Sequence, residues 1–117
     1  MPCRVVHCKR DSFNVLIDRT TKWGNPYSSK PSNLAKYFCS TREESVHKYE
    51  EYLLGRYDLL DSLPDLINKT LACWCKSPNY PNRLCHGDVL KYYADYLENG
   101  GSVENIKSGK VPKFFKD

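Results

Sequence analysis

Lys69 to Tyr93 reads KTLACWCKSPNYPNRLCHGDVLKYY, and this stretch decides the fold class. It opens on an apolar run, Thr70 to Cys75, of a length that suits a strand. A loop carrying Pro78 and Pro81 follows. Cys85-His86-Gly87-Asp88 then leads into a helical pattern reaching Glu98, with Val89, Leu90, Tyr93 and Leu97 as its apolar stripe. Asn99-Gly100-Gly101 ends it. Side chains alternate along a strand, so Cys73 and Cys75 point to one face and Trp74 to the other. The chain returns with Cys85 and His86 at the mouth of the helix, which brings three thiols and an imidazole towards one strand end.

Three roles fit that cluster. Cysteine is often buried as a small hydrophobe, so the thiols can be core. Cys73, Cys75, Cys85 and His86 are a candidate zinc set, although C-x-C with an adjacent Cys-His pair is not a zinc-finger spacing. Cys85, His86 and Asp88 are a candidate catalytic group. A cysteine at a helix N-terminus is nearer its thiolate form, and the imidazole adds to that if protonated. On this reading Cys85 is the most reactive thiol, provided it is exposed.

The chain has 117 residues, enough for one domain with a modest core. No apolar run approaches the length of a membrane span, and Met1-Pro2-Cys3-Arg4 does not open a secretory leader. The expected compartment is therefore intracellular and reducing, with cysteines free or metal-bound. The even count of six keeps disulfides open. The net charge of +4 is unevenly spread. Residues 1–30 hold six Lys/Arg against two Asp, residues 69–91 four against one, and residues 41–68 three against seven acidic. The basic segments are those with unusual motifs, and their natural partner is an anionic small molecule. The charge is too low and mixed for a strong nucleic-acid footprint, and no known nucleic-acid motif is present, which ranks nucleic acid third among the partners.

Cys3–Cys8 and Phe13–Asp18 read as short strands and candidates for a hairpin, without a turn signal between them. Arg19 to Ser29 (RTTKWGNPYSS) cannot continue a strand. Gly24 and Pro26 shape a rigid loop there, and Arg19, Lys22, Trp23 and Asn25 are its candidate ligand-binding residues. Trp23 taken alone suits a plug at the core edge better, and Asn25 also suits a tie across the turn. Leu34, Tyr37 and Phe38 suggest a helical turn. Thr41 and Glu44 form a capping box for a helix to Leu54, stopped by Gly55 and buried along Val46, Tyr49, Tyr52 and Leu53. One or two short helices follow, with Leu59, Leu60, Leu63, Leu66 and Ile67 inward. The expected architecture is one α/β domain over 1–101, a sheet of about three strands covered by helices. The segment 102–117 packs on it or extends from it.

Val5-Val6-His7, Ile17-Asp18-Arg19, Lys22-Trp23-Gly24-Asn25-Pro26, Tyr49-Glu50-Glu51-Tyr52-Leu53 and Cys73-Trp74-Cys75 with Cys85-His86-Gly87-Asp88-Val89-Leu90 together resemble the family catalogued as domain of unknown function 4326. That family occurs in bacteria, phages and large DNA viruses. The resemblance covers about residues 4–97. It implies a small intracellular α/β domain and brings no activity with it. The chain departs from the pattern in the longer loop between Cys75 and Cys85 and in Asp18, where the family often has glycine. The segment Lys30 to Ser40 is particular to this chain. Two functions follow as expectations. One is a ligand-binding domain, with or without enzymatic activity, for a nucleotide or other phosphorylated small molecule. The other is a non-catalytic interaction or virion-associated protein with structural cysteines.

Overall fold

A computed structural model describes residues 3–7, 13–18, 20–28, 37–38, 41–73 and 84–115. The run that opens the deciding stretch forms a strand at Thr70–Cys73 and is the middle of a three-stranded parallel sheet. Its neighbours are Arg4–His7 (β1) and Val15–Leu16 (β2). Val5 pairs with Leu71 on one side, and Val15 pairs with the same Leu71 on the other. The expected hairpin between the first two strands is therefore corrected: both run parallel to the 70–73 strand, which lies between them. The reason is burial. Leu71, Ala72 and Cys73 are all buried, so neither face of this strand is solvated. A strand of that kind belongs inside a parallel sheet rather than at its edge.

A separate parallel pair joins Tyr27–Ser28 (β3) to Tyr37–Phe38 (β4), which makes 70–73 the fifth strand, β5. The helical turn expected around Leu34 to Phe38 is a strand at Tyr37–Phe38; Leu34 lies outside the described residues. Arg42–Leu54 (α1) begins on Thr41, whose hydroxyl accepts from the Glu44 amide at 3.0 Å. Gly55 closes it in a right-handed conformation (φ −88°), so this stop does not use glycine's left-handed freedom. Tyr57–Ser62 (α2) and a 3-10 turn at Leu63–Leu66 supply Leu59, Leu60, Leu63 and Leu66 to the core.

His86–Glu98 (α3) lies against the sheet, with Val89, Leu90, Tyr93 and Ala94 buried. Its first turn comes unusually close. A β-carbon on Gly87 would stand 2.8 Å from both Ile17 Cδ1 and Val5 Cγ1. The chain continues into Val103–Lys107 (α4), which buries Ile106 and sends Lys107 to Asp61 at 2.6 Å. Beyond it, the Phe114 and Phe115 amides donate to the carboxylate of Glu50, at 2.5 and 3.1 Å. Glu50 is only 2% exposed and also accepts from the Tyr93 hydroxyl at 2.7 Å. Three-quarters of the way along α3, Asp95 accepts from the Cys3 amide at 3.0 Å and ties down the start of β1.

Gly87→Ala should lower unfolding free energy by about 1–3 kcal/mol, because Val5 and Ile17 are themselves packed and must yield. Val5→Ala in that background should recover part of the loss; urea titration of the three variants measures both.

Alkaline pH should destabilise the protein through three groups. Burial, then the charges of Asp95 and Glu98, push the Cys3 thiol from 9.0 up to about 12. Burial and the Glu50 carboxylate raise the Tyr93 hydroxyl, and burial raises the Tyr49 hydroxyl well above its usual value. All three stay protonated in the folded chain while the unfolded chain releases its protons. Stability is therefore intact below about 9 and falls as pH rises through the unfolded values towards the folded ones. Cys3→Ala should remove the part of the slope that begins near 9, and leave the part due to Tyr49 and Tyr93, which begins near 10. Denaturant midpoints across the alkaline range test this.

Candidate functional site at the carboxyl edge of the sheet

Because β1, β5 and β2 are parallel, His7, Cys73 and Ile17 leave the sheet at one edge. Leu71 and Cys73 share a face, as do Val5 with His7 and Val15 with Ile17. This is the face that Gly87 approaches. In open parallel sheets, ligands favour the carboxyl ends of the strands. Here that edge receives the first turn of α3.

Cys85 is the N-cap of α3. Its sulfur accepts from the Gly87 amide at 3.3 Å, and its own amide donates to the Asp88 carboxylate at 3.0 Å. The Cys73 and Cys85 sulfurs lie 3.0 Å apart, and both residues are fully buried. The condition of exposure attached to Cys85 as the most reactive thiol is therefore not met. His86, 7% exposed, places Nε2 2.5 Å from the Ile17 carbonyl and Nδ1 3.6 Å from the Cys85 sulfur. A carbonyl only accepts, so Nε2 carries hydrogen and donates to it. In the neutral ring, Nδ1 is then an acceptor facing the Cys85 thiol.

The second block closes over the end of β2. Asp18 accepts from the Thr20 amide at 3.0 Å and from its hydroxyl, which folds the chain back at once. Trp23 is buried, and its carbonyl accepts from the Tyr49 hydroxyl at 2.7 Å. Asn25, 4% exposed, donates through Nδ2 to Ser45 Oγ and the Ser45 carbonyl at 3.0 and 3.2 Å; its Oδ1 accepts from the Tyr27 amide at 2.9 Å. Lys22 is exposed and reaches Ser62 on α2 at 3.1 Å, with its ammonium 5.2 Å from the Trp23 ring. Arg19 and Cys75 lie outside the described residues.

The two blocks meet through Tyr49 on α1. Its hydroxyl holds Trp23, and its ring stands edge-on to His86 with centroids 5.0 Å apart. The sequence marks Tyr49 only as a member of the buried stripe. The signal it also carries is that a buried tyrosine hydroxyl needs a partner. Asp88 caps the helix, and Trp23 and Asn25 fix the loop to α1. Among the described residues, no group of three His, Cys, Asp or Glu is arranged to hold a metal ion. Tetrahedral zinc would set two sulfurs about 3.8 Å apart, wider than the Cys73–Cys85 contact. Nor is any helix among them long and apolar enough to cross a membrane.

A model of the family described as "Domain of unknown function (DUF4326)" matches residues 4–96, which takes in both blocks and all of β1, β2, β5 and α1. The chain belongs to that family. A relative in Acanthamoeba polyphaga mimivirus, "Uncharacterized protein R718", is 35% identical over 75 residues, covering 60% of this chain and 50% of that protein. The chain thus spans about half the length of this relative. An "Uncharacterized 12.4 kDa protein in nrdA-td intergenic region" of Enterobacteria phage T4 is 28% identical over 99 residues, 81% of this chain and 80% of that protein. No solved structure matches the chain. The DUF4326 match stops before α4 and the segment that bonds Glu50.

Tyr49→Phe should cost about 1–2 kcal/mol by leaving the Trp23 carbonyl without its donor. His86→Ala should cost more, since it strips the Ile17 carbonyl and leaves a void beside Tyr49. Because Tyr49→Phe removes only the hydroxyl and keeps the ring that touches His86, the double variant should lose about the sum of the two single losses. Denaturant unfolding of the four proteins measures the coupling.

Proposed function

We propose that this chain is a small ligand-binding domain for a nucleotide or another phosphorylated small molecule, held at the carboxyl edge of the β1–β5–β2 sheet. The observation that carries the proposal is the convergence of three parallel strand ends with the first turn of α3. The segments of sequence that depart from this edge are also the basic ones, with Lys9, Arg10, Arg19, Lys22, Lys76 and Arg83 against Asp11 and Asp18. Arg19 is the phosphate-binding residue of choice, because a guanidinium pairs bidentately with phosphate oxygens. Its sequence neighbours Asp18 and Thr20 bond to each other at this edge. Trp23 and Asn25 shape the loop rather than touch the ligand. Cys85 and His86 form the floor beneath it.

The competing function is a non-catalytic interaction or virion-associated protein. It is favoured by the internal use of Trp23, Asn25, His86 and Asp88, each of which bonds its own chain. Both relatives are also viral proteins. Melting temperatures across a panel of nucleotides and sugar phosphates separate the two. A ligand at 100 times its Kd should add about 2.7 kcal/mol of stability. Arg19→Ala should abolish that shift while leaving the unliganded melting temperature in place. No shift with any phosphorylated compound would leave the interaction function standing.

A further inference from the structure

We propose that Cys73 and Cys85 are a redox-linked pair that closes into an intramolecular disulfide between the end of β5 and the N-cap of α3. This stands on thiol geometry and does not rest on the ligand-binding proposal. The sulfurs are 3.0 Å apart, so closing to the disulfide length of about 2.05 Å asks for roughly 1 Å of approach. Both partners are held from both sides. Cys73 is paired in the sheet opposite His7. Cys85 is fixed by the Asp88 carboxylate on its amide, while its carbonyl accepts the Asp88 amide at 2.9 Å. Neither sulfur can drift away, so the second step of closure is intramolecular at high effective concentration.

The oxidant is a small-molecule disulfide. The Cys85 thiol gives its proton towards His86 Nδ1, 3.6 Å away, while Nε2–H stays on the Ile17 carbonyl. The thiolate formed accepts from the Gly87 amide and faces the positive end of α3. It attacks one sulfur of the oxidant, whose S–S bond breaks and releases a first thiolate. Cys73, on losing its proton, attacks Cys85 in the resulting mixed disulfide; a new S–S bond forms and a second thiolate leaves. The two protons end on the two released thiols. The cysteine pair gives up two electrons, and the oxidant takes them. Because both sulfurs are buried, the first attack waits on a local opening of the structure, and equilibrium is approached slowly. Cys3, the other cysteine among the described residues, stands out of reach of the pair, because it precedes Arg4 at the opposite end of the sheet from Cys73.

The consequence is local. Oxidation removes the thiol hydrogen facing His86 and clamps the first turn of α3 to β5. The carboxyl edge then has two covalent states.

The test is equilibration of the full chain in buffers of graded oxidised-to-reduced glutathione, acid quenching and peptide mapping. The expected result is a cross-link between the Cys73 and Cys85 peptides, with the loss of two hydrogen masses. Its fraction should rise with the oxidised share and reverse with reductant. Cys75→Ser should leave the cross-link in place, and Cys85→Ser should abolish it. The wild-type map decides alone if Cys85→Ser does not fold. A dominant link through Cys75 or another cysteine would overturn the proposal. So would glutathione held on one cysteine without resolution. One zinc per chain in native mass spectra of protein purified without chelator, with both thiols protected, would do so too.

Discussion

Gly87 has no side chain, and that absence sets the distance at which α3 meets the sheet. Val5 and Ile17 fill the space a β-carbon would need. With the helix seated so low, the two residues just before Gly87 are carried to fixed places. Cys85 is pressed against Cys73, and His86 is aimed at the Ile17 carbonyl. Tyr49 then packs on the His86 ring and holds the loop of Trp23 from the other side. One missing methyl thus governs the seating of the helix, the joint between the two motif blocks and the contact between the thiols.

The molecule buries several polar groups, and each is answered. Among the described residues no buried side-chain nitrogen or oxygen lacks a hydrogen-bond partner. Glu50 is the one acidic side chain buried among the described residues, and it accepts from a tyrosine hydroxyl and two backbone amides. Such a carboxylate is costly to bury and worse to leave half-satisfied. It therefore specifies where the chain beyond α4 must lie. Phe114 completes that placement by packing edge-on against Tyr92, whose hydroxyl in turn donates to the Pro112 carbonyl at 2.7 Å.

The two long helices were legible in the sequence because their signals are local, whereas the five-residue α4 was not read from the tail. Thr41 and Glu44 mark the start of α1, and the stripe from Val89 to Leu97 together with the Gly pair marks α3 from His86 to Glu98. The α/β class was legible for the same reason. Strand order was not, since Val5 pairs with a residue 66 positions on, and parallel pairing at that separation leaves no trace in neighbouring residues. Tyr37 and Phe38 were misread because two aromatics in a polar segment fit a helical turn and a strand equally well. Of the candidate site, the convergence of Cys73, Cys85 and His86 was visible from strand alternation and the helix start. Trp23 fills the plug position that suited it best in the sequence, and the burial of Asn25 was harder to see. A rigid loop that presents groups to a ligand and one that inserts them into a core share the same glycine and proline.

The central position of β5 has a consequence for the growing chain. Both flanking strands are synthesised long before it, and neither pairs with the other. Until Cys73 emerges, the backbone groups of β1 and β2 have no sheet to join, and α1 and α2 arrive first. Helical hydrogen bonds link near neighbours, whereas this sheet waits on its last-made member. The pairings that complete it close loops of more than fifty residues, a non-local topology of the kind that slows folding.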